Sequence, residues 1–156
     1  MTNPSVHHDT FVIERTYPVA PARVFRALTD PEAKAQWFLA PAPWKSSDYR
    51  LDCRVGGTEH AESREPNGRA HIYDATYHEV VPDRRVVFSY DMRLGSELVS
   101  VSLTTIEVAP VQGGTSLTFT EQGAFIGGDP AGAASRVEGT EYLLDNLGKA
   151  LAGLAG

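Results

Sequence analysis

The chain has 156 residues, enough for one domain with its own core and short for two. Its 42% hydrophobic and 22% charged content is that of an ordinary globular protein and excludes wholesale disorder. A net charge of −6, with Arg84-Arg85 as the only adjacent basic pair, excludes the concentrated basic face that nucleic-acid phosphates require.

Residues 1–9 read as a flexible tail, with Pro4, His7, His8 and Asp9 and no apolar run suited to a signal peptide. Phe11 to Tyr17 reads as a first strand, ended by Pro18. Pro21 opens a short helix whose apolar face is Val24, Phe25 and Leu28. Asp30-Pro31-Glu32 starts a second helix, with an acidic N-cap, Pro at the first helical position and a carboxylate in the first turn. That helix runs to Trp37-Phe38, and a Pro-rich loop with Pro41, Pro43 and Trp44 follows.

From Tyr49 to Phe125 the hydrophobic period becomes two. Asn67-Gly68 predicts a type I′ hairpin turn, and Pro82-Asp83 and Gly113-Gly114 mark two more. Strands are expected over 49–54, 57–65, 69–81, 85–93, 97–109 and 115–124. Turns this short make an antiparallel meander, since parallel pairs need long crossovers. Asp129-Pro130 repeats the helix-start signature, and Val137, Leu144, Leu147, Leu151 and Leu154 recur at helical spacing beyond it. Gly132, Gly139 and Gly148 weaken that helix without ending it. The predicted fold class is α+β: a curved antiparallel sheet wrapped around a long C-terminal helix, with two short helices after the first strand. Residues 10–156 form a single domain on this reading.

Three stretches carry a resemblance: Pro21 to Glu32 with Trp37-Phe38, Asp52-Cys53-Arg54-Val55-Gly56-Gly57, and Leu144-Asp145-Asn146-Leu147. With Glu79-Val80-Val81-Pro82 they make the chain similar to the START-like, helix-grip (SRPBCC) superfamily. The closer resemblance is to its bacterial branch related to the activator of heat-shock-protein ATPase (AHSA-like), which implies a stress-response setting. The resemblance implies a ligand cavity between sheet and C-terminal helix, and with no P-loop or dinucleotide fingerprint in the sequence no cofactor is expected. Two positions depart from the branch. Gly139-Thr140 stands where Gly-Trp is common, and Glu59 stands where an aromatic is frequent. Both replace apolar bulk where the chain should face the cavity.

Strand parity puts Glu121 with Leu117 and Phe119, and Glu59 with Ala61 and Ser63, on the expected inner face. A carboxylate there must be protonated, paired with a cation, or held by donors such as a tyrosine hydroxyl, whereas near the sheet rim it would be solvated or paired with an Arg such as Arg54. Glu59 and Glu121 are therefore the candidate acid–base residues and candidate ligand contacts. Trp37, Phe38, Tyr73, Tyr77, Tyr90, Phe119, Tyr142 and Asn146 complete the expected ligand-binding set. No catalytic constellation is assigned. The one cysteine, Cys53, permits no internal disulfide and is expected to be buried in a strand and unreactive. His60-Ala61-Glu62 has the His-x-Glu spacing of zinc deaminases, but that chemistry also needs a Cys-x-x-Cys pair, so no metal is expected.

The leading expectation is a protein that binds a small hydrophobic or amphipathic molecule without covalent chemistry. The second is a cofactor-free enzyme of the cyclase, aldolase or hydratase kind using Glu59 or Glu121. The third, a co-regulator of a chaperone ATPase, is weakest, because the chain has no room for a separate chaperone-binding segment. No nucleic acid and no membrane span are expected, a cytoplasmic location follows, and a homodimer is left open.

Overall fold

The structure, a computed structural model, describes residues 5–127 and 130–153. Its elements run β1 (Val6–Tyr17), α1 (Pro21–Thr29), α2 (Pro31–Phe38), β2 (Lys45–Leu51), β3 (Thr58–Arg64), β4 (Ala70–Val81), β5 (Arg85–Leu94), β6 (Glu97–Val111), β7 (Gly114–Ile126) and α3 (Pro130–Gly153). The expected order is present throughout. Asp129 and Leu154, both used in predicting the last helix, lie outside the described residues.

The seven strands form one curved antiparallel sheet in the order β1-β7-β6-β5-β4-β3-β2. Six strands make the expected meander, and the first strand closes onto the last: Ile13 sits opposite Phe119 and Tyr17 opposite Thr115. This long-range pair draws in part of the predicted tail, because Val6 to Asp9 pair with Ile126 to Gly123. The backbone groups of those four residues find partners on β7, which outweighs their polar composition.

Local chemistry explains the helix starts. Asp30 caps α2 by accepting the Ala33 N–H at 2.9 Å, and its own N–H closes α1 on the Arg26 carbonyl at 2.8 Å. One aspartate therefore ends one helix and starts the next. The Asn67-Gly68 turn is tight but not type I′, since Gly68 has φ +90° and Asn67 is not among the residues with positive φ. The Asn67 side chain instead accepts the Arg69 N–H at 2.9 Å, an Asx-type bond that stabilises a turn without the left-handed backbone. Gly57 is required sterically, as a Cβ there would lie 2.0 Å from the Asp52 carbonyl oxygen.

Helix α3 contacts α1, α2, β1 and β7, and its inward stripe buries Leu144, Leu147 and Leu151 almost completely. They meet Val24 and Leu28 of α1, Tyr17 of β1 and Leu117 of β7 in one core. The Tyr17 hydroxyl, itself buried, donates to the Leu144 carbonyl at 2.8 Å and ties the helix to β1. One end of the concave face is thus filled by leucines.

Leu147 has no solvent exposure. Leu147→Ala is expected to lower the unfolding free energy by about 2–5 kcal/mol in chemical denaturation, as a truncation in a packed core. A loss below about 0.5 kcal/mol would place this face of α3 outside the core.

Candidate functional site

The other end of the concave face is not filled. A pocket of about 900 Å³ lies there between the sheet, α2, the 39–44 loop and α3. Tyr73, Phe88, Tyr90, Met92, Ile106 and Phe119 line it from the sheet, Trp37 and Phe38 from α2, and Thr140 and Leu143 from α3. Its aromatic wall is continuous, with ring centroids 5.1 Å apart for Phe38 and Tyr73 and 4.8 Å for Tyr73 and Tyr90.

Of the residues expected to meet a ligand, Trp37, Phe38, Tyr73, Tyr90, Phe119, Glu121 and Tyr142 line this pocket. Tyr142 is 52% exposed, which puts it at the rim. Glu59, Tyr77 and Asn146 are not among the lining residues. Asn146 is half-buried on α3. Glu59 and Tyr77 are on the inner face but sealed: both bond to Lys34, and it is Lys34 that lines the pocket.

Both glutamates are buried, as the strand parity predicted, and neither is unpaired. Lys34 Nζ stands 2.9 Å from Oε1 and 2.8 Å from Oε2 of Glu59. Tyr77 and Tyr49 donate to the same carboxylate at 2.8 and 2.7 Å. The Lys34 ammonium also lies 4.4 Å from the Phe38 ring centroid. Burial, reinforced by the Glu59 charge, pushes the Tyr49 and Tyr77 hydroxyls well above their ordinary range, so both remain proton donors.

Glu121 is held by a second set. Tyr90 donates to its carboxylate at 2.8 Å, Ser102 at 2.8 Å and Arg136 Nη1 at 3.1 Å. Arg136 comes from α3 and also reaches Tyr90 Oη at 2.8 Å and Ser100 Oγ at 2.7 Å. Its guanidinium carbon sits 5.5 Å from the Tyr90 centroid and 5.3 Å from the Phe125 centroid. Gly123 makes room for that arrangement: a Cβ there would come within 2.7 Å of the Phe125 ring and 3.1 Å of Ser102 Oγ. Burial first, and then the Glu121 charge, raise the Tyr90 hydroxyl well above its ordinary range.

The two cations were the residues missing from the sequence reading. Arg54, weighed there as a partner, bonds Asp52 at 2.8 Å instead. A signal existed. Lys34 lies three and four residues before Trp37 and Phe38, and Arg136 lies four before Thr140 and eight before Leu144, so each is a charge on an inward helical stripe. Cys53 is half-buried and lies in the turn between β2 and β3, not in a strand. The bend around Gly56, at φ +82°, takes this segment out of the ladder. Burial pushes the Cys53 thiol up to about 11, with Lys34 opposing and Glu59 and Asp52 adding to the rise. Among the described residues no group of three or more potential metal ligands comes together. No described helix is long and apolar enough to cross a membrane.

A family model described as activator of Hsp90 ATPase homolog 1-like protein matches residues 18–152, and the chain belongs to that family. An uncharacterized protein from Rhizobium leguminosarum is 45% identical, with a TM-score of 0.91 over 97% of this chain and 99% of that one. The Mll3558 protein from Rhizobium loti is 43% identical, with a TM-score of 0.86 over 94% of this chain and 99% of that one. A protein of unknown function from Staphylococcus aureus, SA2116, is 19% identical over 95% of this chain and 96% of that one, and shares the fold at a TM-score of 0.79. No curated protein matches the chain.

Two predictions follow from the site's electrostatics. Glu59→Gln leaves the Lys34 ammonium buried without a counter-charge and should cost about 3–5 kcal/mol of stability. The Lys34→Met/Glu59→Gln double variant should cost clearly less than the sum of its singles; additive losses in the thermodynamic cycle would show that the pair is not coupled. For Cys53, alkylation of the native protein should keep accelerating by about tenfold per pH unit from neutrality, levelling off only near about 11. A plateau at roughly 8.5, the ordinary thiol value, would contradict the burial of this sulfur.

Proposed function

We propose that this protein is a binding protein for a small, partly hydrophobic molecule, held in the pocket between the sheet and α3. The observation that carries this reading is the pocket itself, about 900 Å³ in volume with an aromatic and aliphatic lining. Binding clefts for small molecules fall in this range and have this character, with a few fixed polar groups. A core meant only for stability would close such a space, because unfilled volume forfeits packing contacts.

The engaged state of both glutamates favours binding over proton transfer. Each oxygen of Glu59 already meets Lys34 and a tyrosine, and the Glu121 carboxylate takes the Tyr90 and Ser102 hydroxyls and Arg136. A general base needs an accessible lone pair aimed at the substrate. Trp37, Phe38, Tyr73, Tyr90, Phe119 and Tyr142 are the ligand contacts on this reading, and the protein works in the cytoplasm.

Thr140 is buried, lines the pocket and donates to the Arg136 carbonyl at 2.8 Å. Thr140→Trp should fill part of the space. Titration with the neutral fluorescent probe N-phenyl-1-naphthylamine should show saturable one-to-one binding by the parent. The variant should bind at least about tenfold more weakly while melting within a few degrees of the parent. Absence of saturable binding to the parent would overturn the reading.

A further inference from the structure

We propose that Arg136 anchors an anionic head group, so that the ligand class of this pocket is an amphipathic carboxylate whose carbon skeleton lies along the aromatic wall. The inference rests on the ligand-binding reading above and adds the chemistry of the ligand.

Besides the tyrosines Tyr73, Tyr90 and Tyr142, the charged and titratable side chains around the pocket are Lys34, Glu62, His71, Glu121 and Arg136. Three of them are committed elsewhere. The Lys34 side chain is 5% exposed and its ammonium is held by both oxygens of Glu59. Glu62 bonds Arg64 at 3.4 Å, and His71 bonds Glu65 at 2.8 Å. What remains is the Glu121–Arg136 pair, and it is asymmetric. The Glu121 side chain has no exposure, while the Arg136 side chain retains 19%. Both residues line the pocket, and the cation is the more exposed member of the pair.

Hydrogen-bond capacity points the same way. Glu121 already takes donors from Tyr90, Ser102 and Arg136. A guanidinium has five N–H groups. Nη1 uses two of Arg136's, on Tyr90 and Glu121, and Nη2 uses one, on Ser100. The other two have no partner among the described residues. Among the described residues this leaves two N–H donors on Arg136, which a ligand acceptor can fill and a ligand amine cannot.

A charged acceptor is favoured over a neutral one because hydrogen bonds to ionised groups are roughly twice as strong, and more so where water is thin. Glu121 weakens that preference, yet the Tyr90 and Ser102 hydroxyls both direct hydrogens at it and shield it from an incoming anion. The guanidinium is also prepositioned. The Tyr90 and Phe125 rings both lie within 5.5 Å of its carbon, and Ser100 fixes its far nitrogen, so little side-chain entropy is lost when a ligand binds.

The test is displacement of N-phenyl-1-naphthylamine from the full chain at neutral pH by dodecanoate, dodecan-1-ol and dodecylamine, each below its critical micelle concentration. The parent is expected to bind dodecanoate at least about tenfold more tightly than the alcohol, with the amine weakest. In Arg136→Gln that preference should fall to near unity while the affinity for the neutral probe changes less than about threefold. If this variant fails to fold, because Glu121 is left buried without its cation, Arg136→Gln/Glu121→Gln removes the pair together and should give the same loss of preference. Equal affinity of the parent for acid and alcohol, or a preference for the amine, overturns the anchor and leaves the binding pocket standing. No binding of the naphthylamine at all overturns the pocket reading and the anchor with it.

Discussion

Two glutamates on the concave face of the sheet, both nearly or fully without solvent exposure, set the terms for the rest of the structure. Burying an uncompensated carboxylate is prohibitive, so each must be met by a cation and by further donors. The sheet contributes only hydroxyls there. The cations come from the helices: Lys34 from α2 to Glu59, and Arg136 from α3 to Glu121. These ion pairs join the helical layer to the sheet at two separated points and set where each helix lies across it.

That arrangement leaves the space between them open. The leucine stripe of α3 fills one end of the concave face, where Leu144, Leu147 and Leu151 meet α1 and β1. Toward the other end α3 presents Arg136, Gly139, Thr140 and Leu143, a row containing two small residues. A Cβ at Gly139 would meet nothing within 4 Å. The pocket is thus a consequence of side-chain size along one helix, bounded by an aromatic wall that the sheet and α2 share.

Polar groups in such a pocket serve by being fixed. Tyr90 donates to Glu121 and accepts from Arg136, so one hydroxyl orients both charges. Tyr49 and Tyr77 do comparable work for Glu59 on the far side of Lys34. Neutral donors spread the carboxylate charge without adding another, which leaves the two sets electrically balanced inside an otherwise apolar chamber. On the binding reading proposed above, such a chamber would discriminate among ligands by where it has hydrogen-bonding capacity left. The fold is shared with a protein only 19% identical to this chain, so on the binding reading proposed above the character of a ligand would reside in such side chains and not in the architecture.

The amino-acid sequence by itself determined the element order, the antiparallel meander, both short helices and the inward rows of the strands, because these follow from local periodicity, caps and turn residues. It placed Glu59 and Glu121 on the inner face for the same reason: alternation along a strand is a local property. It did not assign Val6 to Asp9 to a strand, nor Cys53 to a turn, nor the Asn67-Gly68 turn its geometry, since each depends on what a partner segment offers the backbone. The partners of the glutamates were also beyond it. Lys34 and Glu59 are 25 residues apart and Glu121 and Arg136 are 15 apart, on elements whose relative placement no local pattern encodes. Only the tertiary structure decided which charges neutralise each other, because a carboxylate's counter-ion is whichever cation the packing of distant elements brings within reach.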